Sequence, residues 1–301
     1  MSVEKIVLVG TVCNVSHSLE REIQRVAKAL SNLDLVGIFL VESDSKDNTC
    51  QILSRLSKEM PNFNYISLGD LYHKIPDRVS RIRFCRNRYV EYIRDLSKSV
   101  DFNYVAIADL DGMNFALSSK GVDSSFCKDG WGAVLANQTG GYYDLLALRH
   151  PEWCPNDVLH DLRELQEKIV LSEGSRVPFI ASFRRRLSYD KARKNAIYSR
   201  MHVISKNSDW IEVESGFGGF GIYKASVFLN HNYNSLSGQE ALESEHVSLS
   251  KRMREDNLKI YINPRLINNR WNTYNINRFF LVRQLRQYYW NSTLRKILTK
   301  K

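Results

Sequence analysis

No stretch of eighteen uncharged apolar residues occurs in this 301-residue chain, which argues against a membrane-spanning helix. No CxxC pair occurs either. The five cysteines (Cys13, Cys50, Cys85, Cys127 and Cys154) are scattered and odd in number, so reduced thiols in a cytoplasmic protein are the expectation. No GxGxxG follows the first apolar run and no GxxxxGK[ST] is present, which removes support for a dinucleotide dehydrogenase or a P-loop enzyme. Internal repeats and low-complexity linkers are also missing. Acidic residues stop at Asp256, while ten bases follow it from Lys259 to Lys301. Removing those ten from the 43 Lys and Arg leaves 33 bases against 33 acids, so the net charge of +10 belongs to the C-terminal tail and the body is neutral.

What is present reads as alternating strands and helices. The run from Lys5 to Cys13 is apolar and β-branched; with Glu4 beside it and its short length, it reads as a core strand and not a targeting segment. Residues 17–30 carry Leu19, Ile23, Val26 and Leu30 at helical spacing. A second apolar run, Leu35 to Val41, ends in Glu42-Ser43-Asp44 and is followed by a helical stripe at Ile52, Leu53 and Leu56. A strand near 63–67 precedes a helix over 77–98 with Val79, Ile82, Tyr89, Ile93 and Leu96 as its apolar stripe. Four such alternations predict an α/β fold, a mostly parallel sheet flanked by helices. Later strands are expected at 131–135, 142–148, 210–213 and 259–262, the last closed by Pro264. Helices are expected at 156–170 and, after the segment from Gln239, from Glu245-His246 to about Arg254, and residues 184–200 read as a basic loop or helix. The boundaries expected are a domain over 1–267 and a basic tail over 268–301.

Ligands of such sheets sit at the carboxyl ends of the strands. The fourth strand, Tyr104 to Ala108, runs directly into Asp109-Leu110-Asp111-Gly112. Residues two apart in extended backbone share a face, so both carboxylates can point at one locus, where they favour a cation between them. A plain acidic turn with Gly112 at the bend is the alternative. Further on, Gly216, Gly218, Gly219 and Gly221 crowd six positions, which implies a tight reversal or close backbone approach.

Five segments in order, VESDSKDNT, RIRFCRNRYVEYI, IADLDG, ESGFGGFGIYK and ESEHVSLSKRMREDNLKIYINPRL, resemble the nucleotide-sugar glycosyltransferases of the GT-A fold, a Rossmann-related architecture. They look most like the fungal capsule-associated alpha-1,3-mannosyltransferases and their bacterial capsule and O-antigen relatives, over residues 5 to 267. The resemblance implies a sugar moved from a nucleotide-sugar donor to a glycan or lipid-linked saccharide acceptor. It also implies a divalent cation, Mn2+ or Mg2+, held by Asp109 and Asp111 with His246 as third ligand; hard oxygen ligands suit those ions, and no Cys/His cluster suggests zinc. A structural histidine is the alternative for His246. Donor-binding residues implied are Thr11, Asn14, Glu42, Asp44, Arg83, Arg86, Asn87, Asp109, Gly218 and Gly219. Glu42 and Asp44 could instead belong to a helix cap, the arginines to a solvated helix face, and the glycines to a turn. Acceptor-binding residues implied are Asp144, Arg149 and Trp153, with a buried structural aromatic as the other reading of Trp153. Glu245 is the candidate general base if configuration inverts, with Glu243 able to exchange roles; if configuration is retained, Glu245 positions the sugar.

In the tail, Phe279, Val282, Leu285 and Tyr289 alternate with arginines, which suits an amphipathic helix over 278–298 on an anionic membrane surface. The enzyme would then sit peripherally at the inner face of the membrane. Packing of that helix on the domain is the alternative. Two competing functions are a nucleotidyltransferase on a similar sheet and a non-catalytic basic module for membrane or nucleic acid. Confinement of the excess charge to the tail counts against the second, and nucleic acid is not an expected partner.

Overall fold

The computed structural model describes residues 3–172, 189–234 and 243–270. Its centre is an eight-stranded sheet in the order β3-β2-β1-β4-β7-β5-β8-β6. The strands are β1 (Lys5–Val12), β2 (Asp34–Glu42), β3 (Phe63–Ser67), β4 (Tyr104–Ala108), β5 (Trp131–Gln138), β6 (Ile211–Val213), β7 (Phe220–Lys224) and β8 (Lys259–Asn269). Both faces are covered, which is why the central strands are continuous apolar runs and not alternating ones.

The pleat sorts each strand between two cores. Val7, Val9, Val105, Ile107, Ala133 and Leu135 enter one cluster, whose helical side is α3 (Arg78–Leu96) through Tyr89, Val90 and Ile93. Their neighbours Ile6, Leu8, Ala106, Ala108, Val134 and Ala136 enter the other. That second cluster is closed by α1 (Leu19–Ala29) and α2 (Thr49–Glu59) through Ile23, Val26, Leu53 and Leu56. Asp77 caps α3 by accepting from the Ser80 amide at 2.7 Å, which sets the helix start one residue after the expected one.

β3, β2, β1 and β4 are mutually parallel, as expected. The second half is mixed: β7 runs antiparallel to both β4 and β5, β6 runs antiparallel to β8, and β5 and β8 are parallel. Two expectations fail there. Residues 142–148 form an irregular segment with a turn at 145–147, not a strand, although Tyr142, Leu145, Ala147 and Leu148 are buried; burial alone produced the apolar run. Pro264 does not close the last strand either. The β5–β8 register jumps from Leu135↔Ile262 to Asn137↔Ile267, so Pro264 sits in a bulge where its missing N–H costs no ladder bond. β8 therefore continues to Asn269, past the expected boundary at 267. The helix expected at 156–170 spans Val158–Ser172, and that expected to begin at Glu245-His246 spans Glu245–Glu255; residues 239–242 lie outside the described set. Residues 184–188 and 271–301, including the whole amphipathic stretch 278–298, also lie outside the described residues. Among the described residues no helix is long and apolar enough to cross a membrane.

β1 and β4 approach most tightly at their carboxyl ends, where a Cβ on Gly10 would lie 2.6 Å from the Ala108 carbonyl oxygen. Replacing Gly10 by Ala must push β4 and the acid loop outward. We expect Gly10→Ala to destabilise the chain by roughly 1–3 kcal/mol, seen as a lower urea midpoint.

Candidate active site

Antiparallel pairing of β7 with β4 sets the amino end of one against the carboxyl end of the other. Ala108 pairs with Phe220, and the Asp109 amide donates to the Gly219 carbonyl at 2.9 Å. The acid pair and the glycine cluster, far apart in sequence, thus share one sheet edge at the point where parallel pairing gives way to antiparallel. Continuing the pleat, Asp109 falls on the α3 side with Ile107, while Leu110 is buried in the opposite core. The Asp109 side chain is about a third exposed, and Asp111 is exposed.

The loop carrying these acids is braced from behind. Ser18 Oγ donates to the Leu110 carbonyl at 3.1 Å. Buried Glu22, on α1, accepts from the Asn114 amide at 2.8 Å, and Asn114 Nδ2 donates to the Asp109 carbonyl. Asn268 Nδ2 donates to Asn114 Oδ1 at 3.2 Å and to the Gly218 carbonyl at 2.8 Å, and Gln138 Nε2 donates to Asn268 Oδ1 at 3.0 Å. This amide network links β4, β5, β7 and β8 behind the acids. Spacing did not reveal it; the available signal was two adjacent buried asparagines at the end of β8, in strand positions where asparagine is depleted.

Electrostatics single out Asp109. Burial, reinforced by Asp111, Asp144 and Glu245 and opposed by Arg86, pushes its carboxyl up to about 7. Partial loss of water around its carboxyl also raises Asp111, surface residue though it is, against a backbone hydrogen bond and the pull of His17, and burial raises Asp144, against backbone hydrogen bonds from Gly218 and Ala147. One buried guanidinium, Arg86, thus faces several acids whose ionised forms lack enough positive charge, and their hard oxygens fit a divalent cation. His246 does not complete the set. It is buried, stacks on Phe217 with ring centroids 4.1 Å apart, and is held well below the ordinary histidine range by burial and by Arg86. Among the described residues no three His, Cys, Asp or Glu side chains are grouped to hold a metal, so the Asp109–Asp111–His246 trio is not assembled.

Several residues expected to touch the donor are engaged inside the protein. Glu42 is buried and accepts from the Ser45 amide at 2.9 Å and from the Ser67 hydroxyl. Asp44, at φ 62°, accepts from the Leu71 and Tyr72 amides at 2.8 Å and pairs with Arg81 at 3.3 Å. The α2 start belongs instead to Asp47, which accepts from the Thr49 amide and hydroxyl. Asn14 is exposed, accepts from the Lys46 amide at 2.7 Å and so joins the first and second strand-end loops; Thr11 is the half-buried penultimate residue of β1. Asn87 is tied to Asn234 and to the Tyr233 amide. Arg83 is half-buried, and its Nε has no hydrogen-bond partner among the described residues.

The glycine and acceptor assignments change in the same way. Gly218 (φ 76°) and Gly219 (φ 84°) form a left-handed reversal in which added Cβ atoms would lie 2.9 Å from the Ala136 carbonyl oxygen and 2.8 Å from Tyr143 Oη. The turn reading holds for them, with close packing as the reason. Asp144 accepts from the Gly218 amide at 2.9 Å and so supports that turn. Arg149 is buried, donating to the Leu146 and Leu148 carbonyls and pairing with Asp157 at 2.9 Å and Glu243 at 3.3 Å. Trp153 donates to the Arg200 carbonyl and stacks on His202, so it is a buried structural aromatic. Glu245 is buried with its Oε1 2.8 Å from Arg86 Nε, and Glu243 is engaged with Arg149.

No family model and no curated protein matches the sequence. Solved structures do resemble the fold distantly. Glucosyl-3-phosphoglycerate synthase from Mycobacterium tuberculosis, in complex with phosphoglyceric acid, shares 14% identity over 89% of this chain and 69% of its own, at a TM-score of 0.38. A mannosyltransferase from Pyrobaculum calidifontis, in complex with GDP-Man and Mn2+, shares 11% over 65% of this chain and 73% of its own, at 0.33. TarS of S. aureus shares 13% over 44% of this chain, at 0.30, and the match spans only 35% of the TarS structure. Similarity at this level carries no argument about activity, which rests on the site itself.

The raised Asp109 carboxyl predicts a pH dependence. An acid whose folded value is raised from 3.8 to about 7 loses stability as pH climbs from about 4 to about 7, because there the unfolded chain gives up its proton while the fold disfavours the ionised form; above 7 the loss is complete. A divalent cation must displace that proton and then relieves the cost. Mn2+ should therefore raise the melting temperature strongly at pH 8 and weakly at pH 5.5. Its affinity should fall by about tenfold per pH unit below 7; thermal shift titrations at both pH values check this.

Proposed function

We propose that the chain is a metal-dependent glycosyltransferase that moves a sugar from a nucleotide-sugar donor to a glycan or lipid-linked saccharide acceptor, in the synthesis of a surface polysaccharide such as capsule or O-antigen. One observation carries the reading. Two carboxylates in excess of their buried counter-charge stand at the carboxyl end of β4, beside the β7 reversal, where the parallel half of the sheet ends. That is the edge at which open α/β sheets bind nucleotides.

Glycosyl transfer breaks a sugar–phosphate bond, and the departing nucleoside diphosphate gains negative charge as the bond opens. Asp109 and Asp111 would hold a divalent cation, which when bound would supply Lewis-acid stabilisation of that charge. The chain's own residues prepare the locus. Ser18, Glu22, Asn114 and Asn268 hold the acid loop, so little reorganisation accompanies reaction. Arg83, half-buried on α3 with no ion pair among the described residues, is the arginine we assign to the diphosphate. Thr11 and Asn14 line the nucleotide side. Glu245 offers Oε2 to the sugar or to the incoming hydroxyl, its Oε1 being engaged by Arg86. The basic residues of 278–301 would hold the enzyme at an anionic membrane carrying the acceptor; each base near such a surface contributes about 1 kcal/mol.

Screening UDP-, GDP- and CDP-linked sugars for Mn2+-dependent turnover identifies the donor. Asp111→Asn should then lose turnover by on the order of 100-fold or more while keeping its far-UV circular dichroism. Unchanged turnover would sink the metal role, and pyrophosphate release from a nucleoside triphosphate would point to nucleotidyl transfer. For the tail, a chain ending at residue 270 should sediment less with anionic vesicles than the full chain does; equal sedimentation argues against the membrane role.

A further inference from the structure

Arg86 occupies a position no solvated helix face explains. It lies on the apolar stripe of α3, between Ile82 and Tyr89, and is only 5% exposed. Its guanidinium sits 5.2 Å from the Phe217 ring centroid and 5.7 Å from that of Tyr233. Nη1 donates to Tyr89 Oη at 3.1 Å, and Tyr89 Oη donates on to Tyr233 Oη at 2.8 Å. Nε donates to Glu245 Oε1 at 2.8 Å, whereas Nη2 stands 3.7 Å from Asp109 Oδ1. The three nitrogens are thus directed at three protein oxygens, and the ring walls keep the group from reaching outward.

We infer that Arg86 is a positioning residue shared by two carboxylates, coupling Glu245 to the cation-binding capacity of Asp109; the inference rests on the metal site proposed above. The two contacts are unequal. The short bond to Glu245 holds the guanidinium back from Asp109, leaving that carboxylate available to a divalent cation. Neutralising Glu245 removes the restraint, and the buried charge then turns to the nearest remaining acid. Arg86 and the cation compete for Asp109 from that moment. Glu245 therefore tunes metal binding without being a ligand. Linkage makes the effect reciprocal: a cation on Asp109 repels Arg86 toward Glu245 and fixes that side chain before the acceptor is used.

The test measures Mn2+ binding to the full chain without donor, by the electron paramagnetic resonance signal of free Mn2+. Glu245→Gln is close to isosteric and should weaken binding by about 10- to 100-fold, the range typical of groups that orient metal ligands. In an Arg86→Lys background the same change should have a much smaller effect, because an ammonium cannot span both acids. Glu243→Gln, whose carboxylate pairs with Arg149 instead, should bind Mn2+ as the wild type does. Wild-type affinity in Glu245→Gln, even with a lowered melting temperature, overturns the inference, as does an undiminished effect in the Arg86→Lys background. If Arg86→Lys does not fold, the comparison of Glu245→Gln with Glu243→Gln decides alone. Failure of the wild type to bind Mn2+ overturns the metal site and the inference together. Mn2+ binding that follows the expected pattern, with no turnover of any nucleotide sugar, supports the inference and overturns the transferase reading instead.

Discussion

A positive charge buried in a protein interior is tolerated only where acids and hydrogen-bond acceptors surround it, and Arg86 meets that condition at the centre of this molecule. Glu245 comes from the helix that precedes β8, Asp109 from the end of β4, and Tyr89 from α3 itself. Breaking any one of these leaves a charge or a hydroxyl without its partner in a region closed by Phe217 and Tyr233. The packing of α3 against the later helix and the geometry of the acid pair are therefore one constraint. Replacing Arg86 by an apolar residue would strand Glu245 in turn, so the cluster stands or falls as a unit.

The sheet supplies the frame for that cluster. Parallel pairing of β1, β2 and β4 brings three polar strand ends to one edge, and reversal at β7 sets a glycine turn against the acids. The positive φ values and short Cβ clearances at Gly218 and Gly219 show that the turn is a packing necessity. Much of the polar chemistry nearby is internal. Glu42 and Asp44 tie strand-end loops together, and Asn114, Asn268 and Gln138 tie the acid loop to β8. A site assembled from loops gains rigidity this way, because each backbone group left unpaired by the end of a strand meets a side-chain partner.

Much of this was legible in the chain itself. Local periodicity marks β1 to β4 and α1 to α3, since a stripe at 3.6 residues or a continuous apolar run depends on neighbours a few residues away. The acid pair after β4 was legible for the same reason, as were the neutral body and the basic tail, which are sums over composition. Apolar content misled where burial and extension part company: residues 142–148 are a largely buried irregular segment, and β8 passes Pro264 because a bulge absorbs it.

Only the tertiary structure decided which polar groups are free. Arg149, Trp153, Asn87 and His246 carry side chains suited to a ligand, yet each is engaged or enclosed by segments distant in sequence. A motif specifies the type of group at a position, whereas the partner that consumes it arrives through long-range packing. Arg86 marks the boundary between the two. Its place on the stripe of α3 is written in the sequence, but the opposing carboxylates of Asp109 and Glu245 meet it only when the sheet and the last helix close around it.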